Sequence, residues 1–366
     1  MINNIGHIKP TKFETLNGWS DADFDLALAT FKRSAVEIMS SGHGFKRGSL
    51  FSGVCDDWIP ACEAALKAQY PKVFFEKNFR PFKIDDDCRQ LGLFTGYYEP
   101  LAKGSRTKSE RFHVPIYRRP PELVAFPQEV EAKNGLRYGH FVNQIPAVFS
   151  SRFQIENGAL EGRGLEVCWL DNWVDAFFIH IQGSGRIALE DGGTLRLAFA
   201  AKNGQAYTSI GAALLAMGQG TPETMSMQFL RNWIEHNPKA GRELMWQNNS
   251  YIFFREIKLE DETLGALGAA QVNLMPLCSL AIDRNYWMYG TPFWLETSTP
   301  PEARGGPTPF TRLMIGQDTG TAIRGALRGD VYWGWGDDAI INAGHMKSPG
   351  RMTALLPTAV ARRLGH

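Results

Sequence analysis

The chain is 366 residues long and 40.9 kDa, which at roughly 100–200 residues per domain fits two domains, with three as the outer limit. Hydrophobic residues at 44%, charged residues at 21% and a mean hydropathy of -0.24 exclude a disordered chain, a collagen and a membrane bundle. With 39 Lys plus Arg against 38 acids the net charge is +1, so bulk charge offers nothing to draw nucleic acid or anionic lipid.

No apolar run reaches the roughly 18 residues that a membrane-spanning helix needs. The opening Met1-Ile2-Asn3-Asn4 has neither the basic nor the apolar part of an export signal. Composition leaves open a cytoplasmic chain and an exported one written without its leader. Cys55, Cys62, Cys88, Cys168 and Cys278 are scattered and odd in number, which is no disulfide framework. The first three offer at most one bridge. No CxxC and no His/Cys cluster points to zinc or another metal.

In chain order, helices come first. Ser20 before Asp21 and Asp23, with Phe24, Leu28, Phe31, Ala35 and Ile38 at steps of four and three, predicts a capped amphipathic helix stopped near Gly42 and Gly44. A second follows Asp56-Asp57, with Trp58, Cys62, Ala65 and Leu66 on one face and Pro71 as its break. Val73, Phe74, Phe75 and Phe79 predict a short apolar helical turn. From Leu91 the pattern changes to β runs, at 91–98, 111–117, 140–149, 165–181 and 194–201, separated by Gly, Pro, Asn or Asp. A helical pair interrupts them, Ile210–Met217 and a helix capped by Thr221-Pro222 that bears Met225, Phe229, Trp233 and Ile234. The β pattern resumes at 251–254, 271–282, 292–295, 313–315, 330–333 and 352–356. Asp337–Met346 reads as one short helix, and 297–309 as a long surface loop between strands.

Motifs for nucleotide phosphates and for α/β-hydrolase nucleophiles are missing. Ser105-Arg106-Thr107-Lys108 satisfies SxxK, but no KTG follows and a solvated basic turn explains it. The segment 313–350 is informative because Asp318, Asp330, Asp337 and Asp338 sit there among glycines and aromatics. Asp318-Thr319-Gly320 reads as a tight turn after a strand. Asp330 heads Val331-Tyr332-Trp333, and a carboxylate at such a strand edge loses water, which raises its pKa toward that of a general acid. Asp337 and Asp338 read as helix caps. In 93–100, Tyr97 and Tyr98 place one ring on each face of a strand. In 181–185, Gln182 offers an amide to sugar hydroxyls and the glycines allow a ligand close to the backbone. Each segment alone is also what an ordinary turn looks like.

Taken together, FTGYYEP (94–100), PIYRRPP (115–121), IQGSGRI (181–187), AKNGQAYTSIG (201–211), MSMQFLRNW (225–233), AIDR (281–284), DTGTAIRG (318–325) and GDVYWGWGDDA (329–339) resemble the membrane-bound lytic murein transglycosylase A family. The likeness covers about Leu91 to Pro357. It implies a mainly β protein with helical additions, in which residues 1–100 and 255–366 form a discontinuous double-psi β-barrel domain. A smaller inserted β-barrel-like domain, 101–254, would leave a groove between the two. The family's three-aspartate signature falls on Asp283, Asp318 and Asp330, with Asp330 as acid and base and the others supporting it. Thr95, Tyr97, Tyr98, Gln182, Ser184, Tyr207 and Ser209 lie in matching motifs and are expected to bind substrate. Thr321 stands where relatives often carry a second glycine.

The implied reaction cleaves the β-1,4 bond between N-acetylmuramic acid and N-acetylglucosamine in peptidoglycan and closes a 1,6-anhydro ring, with no metal and no cofactor. The implied partners are glycan strands and cell-wall synthases, with no nucleic acid, for a monomer in the periplasm or at the outer membrane. A lipoprotein cysteine does not stand at the start of the sequence. Two other readings stay open: a hydrolytic β-1,4-glycosidase with Asp318 as second carboxylate, and a non-catalytic expansin-like polysaccharide-binding protein.

Overall fold

The computed structural model describes residues 7–40, 45, 48–85, 91–222, 224–258, 261, 263–320 and 322–365. The expected helix stop at Gly42 and Gly44, Cys88 and Thr321 lie outside them. The chain divides into two compact units, 1–98 with 261–366, and 99–260.

The first unit opens with β1 (His7–Pro10) and α1 (Asp25–Ser40). The start of α1 is held by Asp23, whose carboxylate accepts the Asp25 N–H at 2.8 Å. Ser20, the expected cap, instead donates to Asp21. Ala27, Leu28, Phe31, Ala35 and Ile38 form its buried stripe. Next come α2 (Ile59–Lys67) and α3 (Pro71–Asn78). Pro71 starts α3 rather than breaking a helix, because a first-turn proline surrenders no hydrogen bond. Leu66 and Val73 point to solvent, while Phe74 and Phe75 are buried. Strands β2 (Phe79–Asp85) and β3 (Gly92–Tyr97) follow.

The second unit contains β4 (Leu101–Ser105), β5 (Val114–Tyr117), β6 (Val124–Ala125), α4 (Gln128–Asn134), β7 (Tyr138–Val142), β8 (Ile145–Ala147), α5 (Arg152–Gln154), β9 (Glu166–Leu170), α6 (Trp173–Gln182), β10 (Ser184–Leu189), β11 (Thr194–Lys202), α7 (Ile210–Ala216), α8 (Met227–His236), α9 (Pro238–Trp246) and β12 (Ile252–Ile257). Six strands run in the order β12-β11-β10-β4-β9-β5. A bridge from Arg118 to Phe254 joins the two outermost, so the sheet curls on itself. Val114, Ile116, Cys168, Leu170, Ile187, Leu197 and Phe254 fill its interior. The 165–181 run is only half strand. Asn172 caps α6 by accepting the Asp175 N–H, and Ala176 to His180 are all buried. A helix covered on every side has no polar stripe to reveal its period. Ser226 caps α8 through the Phe229 N–H, whereas Thr221 closes a turn with Thr224.

The chain then returns to the first unit with β13 (Ser279–Ala281), β14 (Pro292–Ser298), β15 (Pro309–Asp318), β16 (Arg328–Tyr332), α10 (Asp337–His345), β17 (Lys347–Pro357) and α11 (Thr358–Arg363). Only the last part of the predicted 271–282 run is strand, since Gln271 and Leu277 hold positive φ values of 63° and 59°. The sheet order β17-β14-β15-β13-β16-β3 closes because β17 also pairs β3, giving a six-stranded barrel of the double-psi kind. Two of its pairings are parallel, β13 with β15 and β16 with β3. Phe31, Phe75, Phe79, Trp294, Leu280, Ile315 and Val331 belong to one core, so the N-terminal helices are part of the barrel's packing.

Candidate active site

The register of the barrel places four residues in one row. Asp318 lies opposite Ala281, Ala281 opposite Asp330, and Asp330 opposite Thr95. Side chains alternate along a strand, so this row shares a face, while Leu280, Val331 and Phe94, one position along, turn into the core. Asp330 therefore sits in the middle of β16, between β13 and β3, rather than at the head of its strand as the sequence suggests.

Thr95 donates its hydroxyl to Oδ1 of Asp330 at 2.5 Å and accepts from Nη2 of Arg328 at 2.7 Å. Asp330 is half-buried. Desolvation pushes its carboxyl up to about 6 and nearby Asp318 adds to this, while Thr95 and the Arg328 guanidinium pull the other way. Asp318 ends β15 and accepts the Ala269 N–H at 3.0 Å. Its pKa is raised by burial, opposed by backbone N–H groups. The Tyr97 hydroxyl is buried beside Asp318 but completes no hydrogen bond of ordinary geometry. Burial and the two carboxylates hold its pKa well above that of a free phenol.

Asp283 is buried and does structural duty. Its carboxylate accepts the Asn285 N–H at 3.0 Å and the Gly325 N–H at 2.8 Å. Thr319 donates to the Ile282 carbonyl and Trp287 Nε1 to that of Ala326, so the 282–287 turn grips both ends of the connection from Asp318 to Arg328. Asp337 and Asp338 lie in the first turn of α10, where their charge suits the helix dipole, but neither side chain caps it. Gly96 is needed for close approach: a Cβ there would come within 2.7 Å of Trp333 and the Ala343 backbone.

Among the expected substrate residues, Thr95 and Tyr97 join Asp330 and Asp318, whereas Tyr98 is buried. The other four lie in the second unit. Gln182 ends α6 with its amide on the Met227 sulfur, and Ser184 opens β10. Tyr207 is 48% exposed. Ser209 caps α7 through the Ala212 N–H. Gly183 serves as the left-handed stop of α6, and Gly185 packs beneath Ile179. These glycines thus have structural work that the sequence reading assigned to ligand approach. Sequence reasoning missed Arg328, whose role depends on pairing with a strand 235 residues away. It also missed Glu99, a buried carboxylate in FTGYYEP that accepts from Arg186 of IQGSGRI and from Arg196, each at 2.8 Å.

Among the described residues no group of three or more His, Cys, Asp or Glu side chains converges as a metal site requires. Cys55, Cys62, Cys168 and Cys278 are free thiols. No described helix is long and apolar enough to cross a membrane.

The closed double-psi barrel thus carries on one face a half-buried carboxyl, that of Asp330, which burial raises to about 6, beside Asp318 and Thr95. Residues 93–255 match the MltA specific insert domain and residues 278–356 the 3D domain. The chain is 33% identical over 288 residues to membrane-bound lytic murein transglycosylase A of Escherichia coli K12, covering 76% of this chain and 71% of that one. It is 32% identical over 266 residues to the Vibrio cholerae protein of the same name and spans 65% of that relative's length. A crystal structure of a membrane-bound lytic murein transglycosylase from Agrobacterium tumefaciens superposes with a TM-score of 0.88 at 33% identity, over 97% of this chain and 99% of that one. E. coli MltA with bound chitohexaose gives 0.69 at 26% identity, over 97% and 96%. The chain belongs to the membrane-bound lytic murein transglycosylase A family.

Proposed function

We propose that this chain is a lytic transglycosylase that cleaves the β-1,4 bond between N-acetylmuramic acid and N-acetylglucosamine in peptidoglycan, with Asp330 as its single acid and base. The observation that carries the reading is the Asp330 carboxyl, held near 6 on a face shared with Thr95, Asp318 and the Tyr97 hydroxyl. A carboxyl in that range is populated in both forms near neutral pH, as a group that first gives and then takes a proton requires.

Protonated Asp330 gives its proton to the leaving glycosidic oxygen as the bond to C1 breaks. The muramoyl C6 hydroxyl closes on C1, and the same carboxylate takes its proton, so no water is consumed. The nucleophile belongs to the substrate and is already close, which removes the need for a second catalytic carboxylate. Asp318 and Tyr97 would shape the field around the developing charge, and Asp283 would hold the connecting loop. Gln182, Ser184 and Tyr207 are proposed sugar contacts. Ser209 would support Tyr207 from the cap of α7, and Tyr98 would support Tyr97 at the end of β3. A relative that holds chitohexaose supports a β-linked glycan as the ligand. On this reading the protein works as a monomer in the periplasm at the outer membrane, on glycan strands and beside cell-wall synthases.

Mass spectrometry of sugars released from purified peptidoglycan tests this. Products one water lighter than reducing muropeptides, absent with Asp330→Asn, are expected. Reducing-end products would establish a hydrolase instead, with Asp318 the next carboxylate to replace. No product from folded protein would overturn the enzyme reading and leave the binding module standing.

A further inference from the structure

We propose that Arg328 is a positioning residue for the reaction just proposed: acting through Thr95, it fixes which oxygen of Asp330 carries the acid proton. An arginine has only donors. With Nη2 of Arg328 on one of its two lone pairs at 2.7 Å, the Thr95 hydroxyl cannot turn its proton that way, and the acceptor it meets is Oδ1 of Asp330 at 2.5 Å. Oδ1 is thereby held as an acceptor, and the proton that Asp330 delivers sits on Oδ2. Without Arg328 the hydroxyl is free to rotate and accept from a protonated Oδ1, which turns the acid proton toward Thr95 and away from substrate.

Arg328 is itself held in place, since Nη1 also donates to the carbonyls of Leu93 and Gly329. It shares a strand with Asp330, two positions earlier, and so the same face. The other groups around Asp330 do not duplicate this. From β3 come Thr95 and Tyr97, from β15 the carboxylate of Asp318, and from β13 only Ala281. On β17, Lys347 lies beyond Thr95 and is exposed. On α10, which packs against β3, Asp337 and Asp338 are exposed and His345 places Nδ1 on the Ile341 carbonyl. The guanidinium also favours the charged form of Asp330, so removing it moves the acid's titration upward.

The test is a cycle of Arg328→Met, Thr95→Val and the double variant, followed as kcat, KM and pH profile on peptidoglycan, with circular dichroism to establish folding. Each single change is expected to lower kcat about tenfold on the acid plateau, with KM within about twofold. The double variant should fall no more than about twofold below Thr95→Val, because Arg328 then has no hydroxyl to orient. Arg328→Met should also move the basic limb of the profile upward, and Arg328→Lys, which still donates, should recover most of the rate. Effects that multiply in the double variant, or an unmoved kcat in Arg328→Met, overturn the proposal. If Arg328→Met does not fold, Arg328→Leu and Arg328→Ala, which likewise lack a donor, are crossed with Thr95→Val under the same criteria. The products of the wild type judge the proposed reaction separately: reducing-end sugars would remove that reaction while the cycle still reports on the acid's proton.

Discussion

Gln317 donates its side-chain amide to Ser34 Oγ at 2.8 Å, joining the residue next to Asp318 to the middle of α1. The same amide nitrogen donates to the Thr30 carbonyl, and its oxygen accepts from Ser279 at 2.6 Å. Three elements thus meet on one fully buried side chain: α1, β13 and β15. The N-terminal helix is therefore bound to the strand that ends in a candidate acidic residue. Gln317→Ala leaves these buried partners unsatisfied and opens a cavity. A loss of about 2–4 kcal/mol in urea unfolding is expected, with activity falling further than the folded fraction. Unchanged stability would mean that the helix merely rests against the barrel.

The acidity of Asp330 has consequences for rate. If the proton on this carboxyl is the one delivered, kcat/KM is level below its pKa and falls about tenfold per unit above about pH 6. Asp330→Asn should reduce the rate by about 10²–10⁴. A profile with no limb near 6 in the wild type would remove Asp330 from the proton transfer.

It also has consequences for stability, with the opposite sense to a salt-bridged acid. The folded pKa, about 6, lies above the reference of 3.8, so between them the native state binds more protons than the unfolded chain. This group's contribution therefore falls as pH rises from about 4 to 6 and stays low above. Asp330→Asn keeps an acceptor for Thr95 and removes the desolvated charge. It should raise stability by about 1–2 kcal/mol at pH 8 and hardly at all near pH 4, measured as melting temperature against pH.

Asp283 is expected to separate positioning from chemistry. Asp283→Ala frees Gly325 and loosens the connection between Asp318 and Arg328. The rate should drop about tenfold or more through displaced groups, while the pH limb of Asp330 stays where it was. A moved limb would mean that Asp283 acts on the carboxyl directly.

In the second unit, Glu99→Ala leaves the Arg186 and Arg196 guanidiniums buried without their carboxylate. A cost of about 3–5 kcal/mol is expected by urea unfolding, with Glu99→Gln milder because it still accepts. This would account for two sequence motifs by folding rather than by sugar contact.

Much of the architecture was legible because local chemistry announced it. The short runs at 313–315, 330–333 and 352–356 are apolar enough to be read as strands, though β15 and β17 extend beyond them, and Phe24 to Ile38 carry a helical period that burial obeys. Desolvation of Asp330 was foreseeable from Val331, Tyr332 and Trp333. Less legible were α6, whose apolar faces hide its period, and the 271–282 segment, where two left-handed residues break an apparently extended run.

What the sequence alone determined was the set of parts: hydrophobic periods that choose helix or strand, glycines where a chain must turn, and acids placed among aromatics. What only the tertiary structure decided was the row Asp318–Ala281–Asp330–Thr95, and with it the contact from Arg328. Thr95 and Asp330 are separated by 235 positions and meet only because β3 pairs in parallel with β16. Register is a property of two strands, so neither strand's sequence states it. Desolvation depends likewise on what closes over a group, and a carboxyl near 6 exists only once the barrel has formed.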